Sequence, residues 1–408
     1  MLNTIPSDFW TEPHRVLEPC CGKGDFLADI VLRFLDAGLS ERVVLEQCVF
    51  FQDINPENVR TTCRLLDPEE RYHLNCRVGD ALQIEWDHGF DAVIGNPPYN
   101  ANQQSRGNTP LYNLFIERYI RRCNYLLFVV PSRWFSGGKG LGRFRQRMLA
   151  RRDIRLIEHI DDARVWFPTI NLKGGVSFFL RDAHYDGDCL FNGEPVDLRS
   201  FDCLVKPRDR ALIAAVWPRS RPDRRSLAEI ALPQSHYGIK CNDPRLNADR
   251  RSLADITLAK SHFDIECNDP RLNADTGVEC FVSLIRARRL RSADRIARVL
   301  DYEIPEPDRC WKVITCSAAG SALTGFGYIG IAGPDQIHSS SYISFRCASK
   351  KAAQSLASAL RTRFADSMLI ARKSSQAVSP DTVRWIPLPP LDRLWTDEAY
   401  ESWARQAE

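Results

Sequence analysis

The chain has 408 residues, enough for two or three domains, and its 44% hydrophobic and 26% charged residues are those of a globular protein rather than a disordered one. A net charge of +3 excludes a strong global field, so attraction to a polyanion must come from local patches, and the preponderance of Arg favours forked contacts to phosphates and base edges. No segment approaches roughly 18 consecutive apolar residues, and the first residues lack an apolar stretch behind a basic start. The expectation is a cytoplasmic protein with no membrane partner. The 14 cysteines are scattered and include no CxxC, which points to thiols in a reducing compartment rather than to disulfides or zinc.

From Arg15 to Asp182, short apolar runs alternate with amphipathic stretches. The first strand is expected over Val16–Cys20 and runs into VLEPCCGKGDFL, where Gly22 and Gly24 allow a tight turn ahead of a helix over Asp25–Ala37. GxxxxGK[ST] is absent, so this turn is not a phosphate-binding P-loop. The second strand, Cys48–Asp53, ends in a carboxylate placed to accept hydrogen bonds from both hydroxyls of a ribose, or equally to cap the helix expected over Pro56–Leu66. The third, Cys76–Ala81, ends in Gly79-Asp80-Ala81-Leu82, where Asp80 is placed to meet an adenine amino group. Ligands of doubly wound sheets bind at this carboxyl edge, so three such ends in succession are better evidence than any one of them.

The fourth strand, Phe90–Asn96, ends in IGNPPY. Pro97 and Pro98 have no N–H to give a sheet ladder and must stop the strand. The Asn96 side-chain oxygen and the Pro97 carbonyl form a pair of acceptors suited to one exocyclic NH2, and Tyr99 offers a face on which a planar base stacks, a contact worth about 1–3 kcal/mol. A helix over Leu111–Arg122 and strands over Tyr125–Pro131, Ile154–Asp162 and Gly175–Leu180 follow. The last two are joined by a loop rather than a helix, so a mostly parallel, doubly wound sheet with an antiparallel end is expected.

After Asp182 the alternation fails, in an irregular region opening with YDGDCLFNGEPVDLRS. Two near-identical 26-residue segments stand in tandem, Arg224–Asp249 and Arg250–Asp275. A solenoid needs three or more units, so the pair reads as a local duplication. Ser283–Leu300 is strongly basic with a helical pattern, and Lys350–Ala371 is a further helix candidate.

With these motifs in that order, the chain resembles the S-adenosylmethionine-dependent DNA adenine-N6 methyltransferases of type II restriction-modification systems, in their gamma arrangement. LEPCCGKGDFL is similar to the cofactor motif, FQDINPENV to the ribose-binding acidic motif, GDAL to the adenine-pocket motif and IGNPPY to the catalytic motif. The resemblance extends through VVPSRWFSGGKGLGRFRQRML and DDARVWFPTINLKGGVSFFL, and more loosely to the C-terminal segments IAGPDQIHSSSYISF and LDRLWTDEAYESW. It implies a Rossmann-like seven-stranded methyltransferase sheet over residues 1–185 and a C-terminal mixed α/β target-recognition domain over 186–408.

The resemblance also implies S-adenosyl-L-methionine as cofactor. Glu18, Gly22 and Gly24 would meet its methionine part, Asp53 its ribose and Asp80 its adenine, with Pro19, Ile54 and Ala81 also in the cofactor site. Asn96, Pro97, Pro98 and Tyr99 would hold a flipped-out adenine of duplex DNA, with no metal required. No PD…(D/E)xK arrangement stands out, so the expectation is a modification subunit with a separately encoded restriction endonuclease, or a solitary methyltransferase, rather than a fused restriction enzyme. The Pro19-Cys20 pair resembles the dipeptide of cytosine-C5 methyltransferases but lies in the cofactor loop. NPPY alone also suits cytosine-N4, RNA amine or protein-glutamine methylation, and a catalytically silent DNA-binding relative would keep the same fold. Arg143, Arg145 and Arg147, with Arg286, Arg288, Arg289 and Arg291, are the candidate DNA contacts.

Overall fold

The apolar runs of the N-terminal half become the strands of one sheet: β1 (Val16–Glu18), β2 (Val49–Asp53), β3 (Asn75–Val78), β4 (Phe90–Gly95), β5 (Cys123–Pro131), β6 (Ile154–Ile160), β7 (Val176–Asp182), β8 (Cys189–Phe191) and β9 (Glu194–Val196). Their spatial order is β3-β2-β1-β4-β5-β7-β6-β8-β9. The first five pair in parallel, whereas β7 runs antiparallel to both β5 and β6. The expected doubly wound sheet with an antiparallel end is therefore present. The computed structural model describes residues 1–100, 109–138, 140–168, 172, 174–217, 224–232, 246–247, 277–281, 296–299, 303–304, 306–339 and 341–406.

Two strands more than the expected seven extend the β6 edge, because β8 pairs with β6 and turns back into β9. The turn is Asn192-Gly193, both with positive φ (48° and 82°), the dipeptide that two-residue hairpins favour. The first compact unit accordingly runs from Met1 to Pro207, beyond the 185/186 boundary drawn from sequence.

Helices cover both faces of the sheet. Helix α1 (Asp25–Asp36) starts at Gly24, whose φ of 90° supplies a left-handed entry, and buries Leu27, Ile30 and Phe34 at the i, i+3, i+7 spacing of one face. Each of these side chains contributes on the order of 2 kcal/mol by burial. Helix α2 (Pro56–Leu66) is capped by the Asn55 side chain, which accepts the Glu57 N–H, with Pro56 at the first helical position. On the other face, α3 (Tyr112–Tyr119) and α4 (Gly142–Leu149) pack Tyr112, Ile116, Phe144 and Met148 into a common core with Leu17, Phe50 and Val93. Alternation along β4 divides the cores, with Val93 facing one and Ala92 and Ile94 the other. The expected strand ends at Cys20, Ala81 and Asn96 move back to Glu18, Val78 and Gly95, because the last residues of each motif turn out of the ladder.

The second unit, Arg208–Glu408, holds two four-stranded sheets among the described residues. One is ordered β10-β17-β14-β15 (β10, Ala231–Leu232; β14, Trp311–Cys316; β15, Ile329–Ala332; β17, Tyr342–Cys347) and the other β11-β13-β12-β16 (β11, Leu246–Asn247; β12, Val278–Phe281; β13, Ile296–Val299; β16, Gln336–His338). Helices α5 (Lys350–Leu360), α6 (Arg363–Arg372) and α7 (Asp397–Arg405) make the unit mixed α/β, as expected. The helix expected over Lys350–Ala371 is two helices, because Thr362 takes an extended conformation and caps α6 by accepting the Ala365 N–H. Ile296–Val299, the end of the expected basic helix, is a strand paired with β12 and β11. The rest of that helix, with Arg286, Arg288, Arg289 and Arg291, lies outside the described residues, as does the tandem repeat apart from 224–232 and 246–247.

Candidate active site

The chain winds from β1 through β2 to β3 on one side and from β4 to β5 on the other, so the direction of the sheet switches between β1 and β4. Crevices at such a point, outside the carboxyl ends of the strands, hold ligands. The residues singled out from sequence stand there: Glu18 and Pro19 at the tip of β1, Asp53 and Ile54 at β2, Asp80 and Ala81 just beyond β3, and Asn96 just beyond β4.

The β1–α1 loop is shaped by its glycines. Gly22 has φ of 55°, and space is open where a β-carbon would stand; its N–H donates to Asp53 Oδ2 at 3.0 Å. Gly24 is required for a second reason. Besides its φ of 90°, a β-carbon there would lie 3.0 Å from Leu65 Cδ2 and 3.1 Å from Thr62 Cγ2, so its absence lets α2 approach the loop. Thr62, buried on α2, donates from Oγ1 to the Gly22 carbonyl at 3.3 Å.

Glu18 is 2% exposed, and its Oε2 has no hydrogen-bond partner among the described residues. Burial, reinforced by the Asp25 and Asp53 carboxylates, holds its carboxyl well above the usual range. A buried carboxyl oxygen without a hydrogen-bond partner is unfavourable on its own. Asp53 is 8% exposed and accepts N–H bonds from Gly22 on one oxygen and Asn55 on the other, at 2.8 Å. Each oxygen keeps a lone pair for an outside hydroxyl. Ile54 beside it is 72% exposed, a flat apolar surface at the edge of the crevice. Asp80 closes its own turn, with Oδ1 accepting from the Leu82 N–H at 2.9 Å and Oδ2 from Gln83 Nε2 at 3.0 Å.

Gly95 faces the β1 tip, where a β-carbon on it would stand 3.5 Å from Glu18 Cγ and 3.6 Å from Pro19 Cδ, an ordinary contact distance. The next residue, Asn96, is half-buried, and its Oδ1 has no partner among the described residues; the same holds for the Tyr99 hydroxyl. Pro97 is buried and Pro98 exposed. Burial pushes the Tyr99 phenol up to about 12, against the opposing influence of the Asn96 side chain, so the ring is neutral at physiological pH. Cys20, in the decoy Pro-Cys pair, lies in the cofactor loop, and burial with the Asp53 and Glu18 carboxylates drives its thiol far above the ordinary value. It is no thiolate nucleophile.

Three of the expected DNA-contacting arginines are described. Arg147 is paired with Glu117, and Arg145 donates to the Gly137 carbonyl at 3.1 Å; Arg143 is exposed. Sequence reading missed Gly95, Thr62 and a group of residues behind the Asp80 turn, none of which stands in a motif of its own. Thr62 faces the loop from a helix 40 residues downstream of Gly22, a distance no local pattern spans.

The parallel order of the first five strands, with the antiparallel seventh inserted beside β5, defines a Rossmann-like methyltransferase sheet, extended here to nine strands, with an added mixed α/β domain. Residues 47–166 match the Eco57I restriction-modification methylase family. The chain is similar to an uncharacterized adenine-specific methylase of Mycoplasma pneumoniae, at 28% identity over 109 residues, 25% of this chain and 26% of the relative. It is also similar to the modification methylase CviBIII of Paramecium bursaria Chlorella virus NC1A, at 29% identity over 135 residues, 30% of this chain and 32% of that one. The chain thus spans about a quarter to a third of the curated relatives it matches. Among solved structures, the DrdV–DNA complex superposes with a TM-score of 0.55 at 13% identity, covering 97% of this chain and 54% of that one. At that identity the likeness speaks for the fold alone.

Proposed function

We propose that the chain is a site-specific DNA methyltransferase that transfers a methyl group from S-adenosyl-L-methionine to N6 of a flipped-out adenine in duplex DNA, as the modification half of a restriction-modification system or a solitary methylase. The observation that carries this reading is the Asn96 amide oxygen, without a partner among the described residues at the tip of β4, beside the β1 tip that carries Glu18. The adenine-specific and modification methylases among its relatives support adenine in DNA as the substrate.

The crevice residues fit the cofactor. Glu18, with its Oε2 unpartnered, suits the ammonium of the methionine part, Gly22 leaves open space in the loop that Pro19 and Gly24 complete, Asp53 suits the ribose hydroxyls with Ile54 against them, and Asp80 with Ala81 suits the adenine. When bound, that group supplies an electrophilic sulfonium methyl. The protein's contribution is placement: Asn96 Oδ1 and the Pro97 carbonyl each accept one N–H of the target amine, drawing its lone pair out of conjugation with the ring. Tyr99 stacks on the base, and Pro98 fixes the backbone between them. No covalent nucleophile is needed, and the surplus proton leaves the amine after transfer. A separately encoded endonuclease is the proposed companion, and the 208–408 unit is the proposed reader of the target sequence.

The test is transfer of labelled methyl from the cofactor to mixed-sequence duplex DNA, followed by nucleoside analysis. Label on N6-methyladenine is expected. Label on N4-methylcytosine, RNA or protein overturns the substrate, and cofactor binding without transfer marks a silent relative.

A further inference from the structure

The turn carrying Asp80 and Ala81 is gripped from behind by the end of α3. Tyr119 Oη donates to the Ala81 carbonyl at 2.9 Å. Beside it, Arg118 Nη1 donates to the Leu82 carbonyl at 2.8 Å and Nη2 to the Ile84 carbonyl. Both side chains are removed from water, Tyr119 at 4% exposed and the Arg118 side chain at 13%. Glu85 closes the outer side by pairing with Arg118 at 3.2 Å and Arg122 at 2.8 Å. From the sheet, Trp86 Nε1 donates to Gln52 Oε1 at 2.8 Å, and Gln52 immediately precedes Asp53.

On this side the turn is held by its carbonyls, while the Asp80 side chain faces the turn's own Leu82 N–H and Gln83 amide. A guanidinium is suited to holding two carbonyls at once, since its planar fork cannot follow one without the other. The opposite end of α3 is tied to the catalytic motif: the Leu111 N–H donates to the Tyr99 carbonyl at 3.1 Å, and Asn100 bridges Pro110. A helix of eight residues, about 12 Å long, therefore has one end on the residues after Pro98 and the other on the Asp80 turn.

We propose that Arg118 and Tyr119 are positioning residues for the adenine end of the cofactor, setting the distance between the Asp80 turn and the Asp53 tip by holding three backbone carbonyls. The inference rests on the cofactor reading above. Both side chains end on the protein's own carbonyls, so they act through the turn. Their loss loosens recognition of one end of the cofactor and leaves the Asn96 end and the chemistry there in place.

The test uses the full chain with Tyr119→Phe, which removes one hydroxyl and keeps the ring in the core, and Arg118→Lys, which keeps the charge and loses the fork. Methyl transfer to duplex DNA gives kcat and the cofactor KM, and calorimetry compares S-adenosylhomocysteine with the analogue carrying hypoxanthine in place of adenine. Expected are a cofactor KM raised about five- to tenfold by each variant, a kcat within about twofold of wild type, and weaker discrimination against the hypoxanthine analogue. Variants that keep the wild-type KM and discrimination, or that lose kcat and stability with discrimination intact, overturn the inference alone. A wild-type chain that binds no S-adenosylmethionine overturns the function reading and this inference with it.

Discussion

Buried polar side chains at the strand tips of the first unit and buried cations of the second are handled differently. In Arg208–Glu408, buried cations are closed on the unit's own backbone. Lys312, fully buried, donates to the carbonyls of Cys310, Gly333 and Gln336 at 3.0, 3.3 and 2.9 Å. Lys373 donates to those of Ala319 and Thr324, and Arg372 to the Asp381 carbonyl and carboxylate. In Met1–Pro207, the Glu18 carboxyl and the Asn96 amide end at strand tips with an atom left open. A closed polar group holds a fold together; an open one costs stability and is kept where a ligand completes it. Open buried atoms also occur elsewhere, as at Trp134 Nε1 and Thr315 Oγ1, so what distinguishes Glu18 and Asn96 is an open atom at a strand tip of the crevice.

Substituting one open and one closed group tests the contrast most directly. Asn96→Ala removes an acceptor that the fold does not use, so methyl transfer should fall about 10²- to 10³-fold. Cofactor affinity and melting temperature should stay at wild-type values. Calorimetry with S-adenosylhomocysteine checks this, and loss of cofactor binding would show that Asn96 belongs to the cofactor pocket. Lys312→Met should do the reverse. It strands three carbonyls in the second unit and should cost about 2–4 kcal/mol of stability by denaturant unfolding, with cofactor affinity of the folded protein unchanged.

Asp53 lies between these extremes, since it both braces the Gly22 loop and keeps lone pairs for a ligand. Asp53→Asn should weaken cofactor binding about 10- to 30-fold by removing a charged acceptor. It should lower stability only slightly, as the Asn55 N–H still finds an oxygen. An unchanged cofactor affinity would leave Asp53 as a loop brace alone.

The strand tips were legible in the sequence because each is an apolar run closed by Gly, Pro or a carboxylate, a purely local signal. The ends of β1, β2, β3 and β4 fall within three residues of where that punctuation places them. Two further signals were present and passed over: Asn192-Gly193 between β8 and β9, and Thr362, which breaks one expected helix into two. The run of arginines around residues 286–291 obscured the Ile-Ala-Arg-Val strand β13, whose identity rests on pairing with β12. Arg118 and Tyr119 carry no local signal at all, because their partners lie 34 to 38 residues upstream and are backbone carbonyls, which leave no trace in side-chain pattern.

The smallest effect concerns Glu18 and follows from the cost of an open buried group. Its carboxyl is held well above the ordinary 4.5, first by burial and then by Asp25 and Asp53. The folded, ligand-free protein therefore binds this proton more tightly than the unfolded chain does. Stability contributed at this site is full below about pH 4.5 and falls as pH rises toward the folded pKa. A cofactor ammonium beside Glu18 favours the carboxylate, so binding in that window should release a proton. Cofactor affinity should accordingly rise with pH by at most about tenfold per unit and level off once Glu18 is ionised in the free protein. Calorimetry in two buffers of different ionisation enthalpy reads the released proton directly, and Glu18→Gln should abolish both the release and the slope. A slope that survives in Glu18→Gln would assign the ammonium to another group and place Glu18 with the closed polar side chains of the second unit.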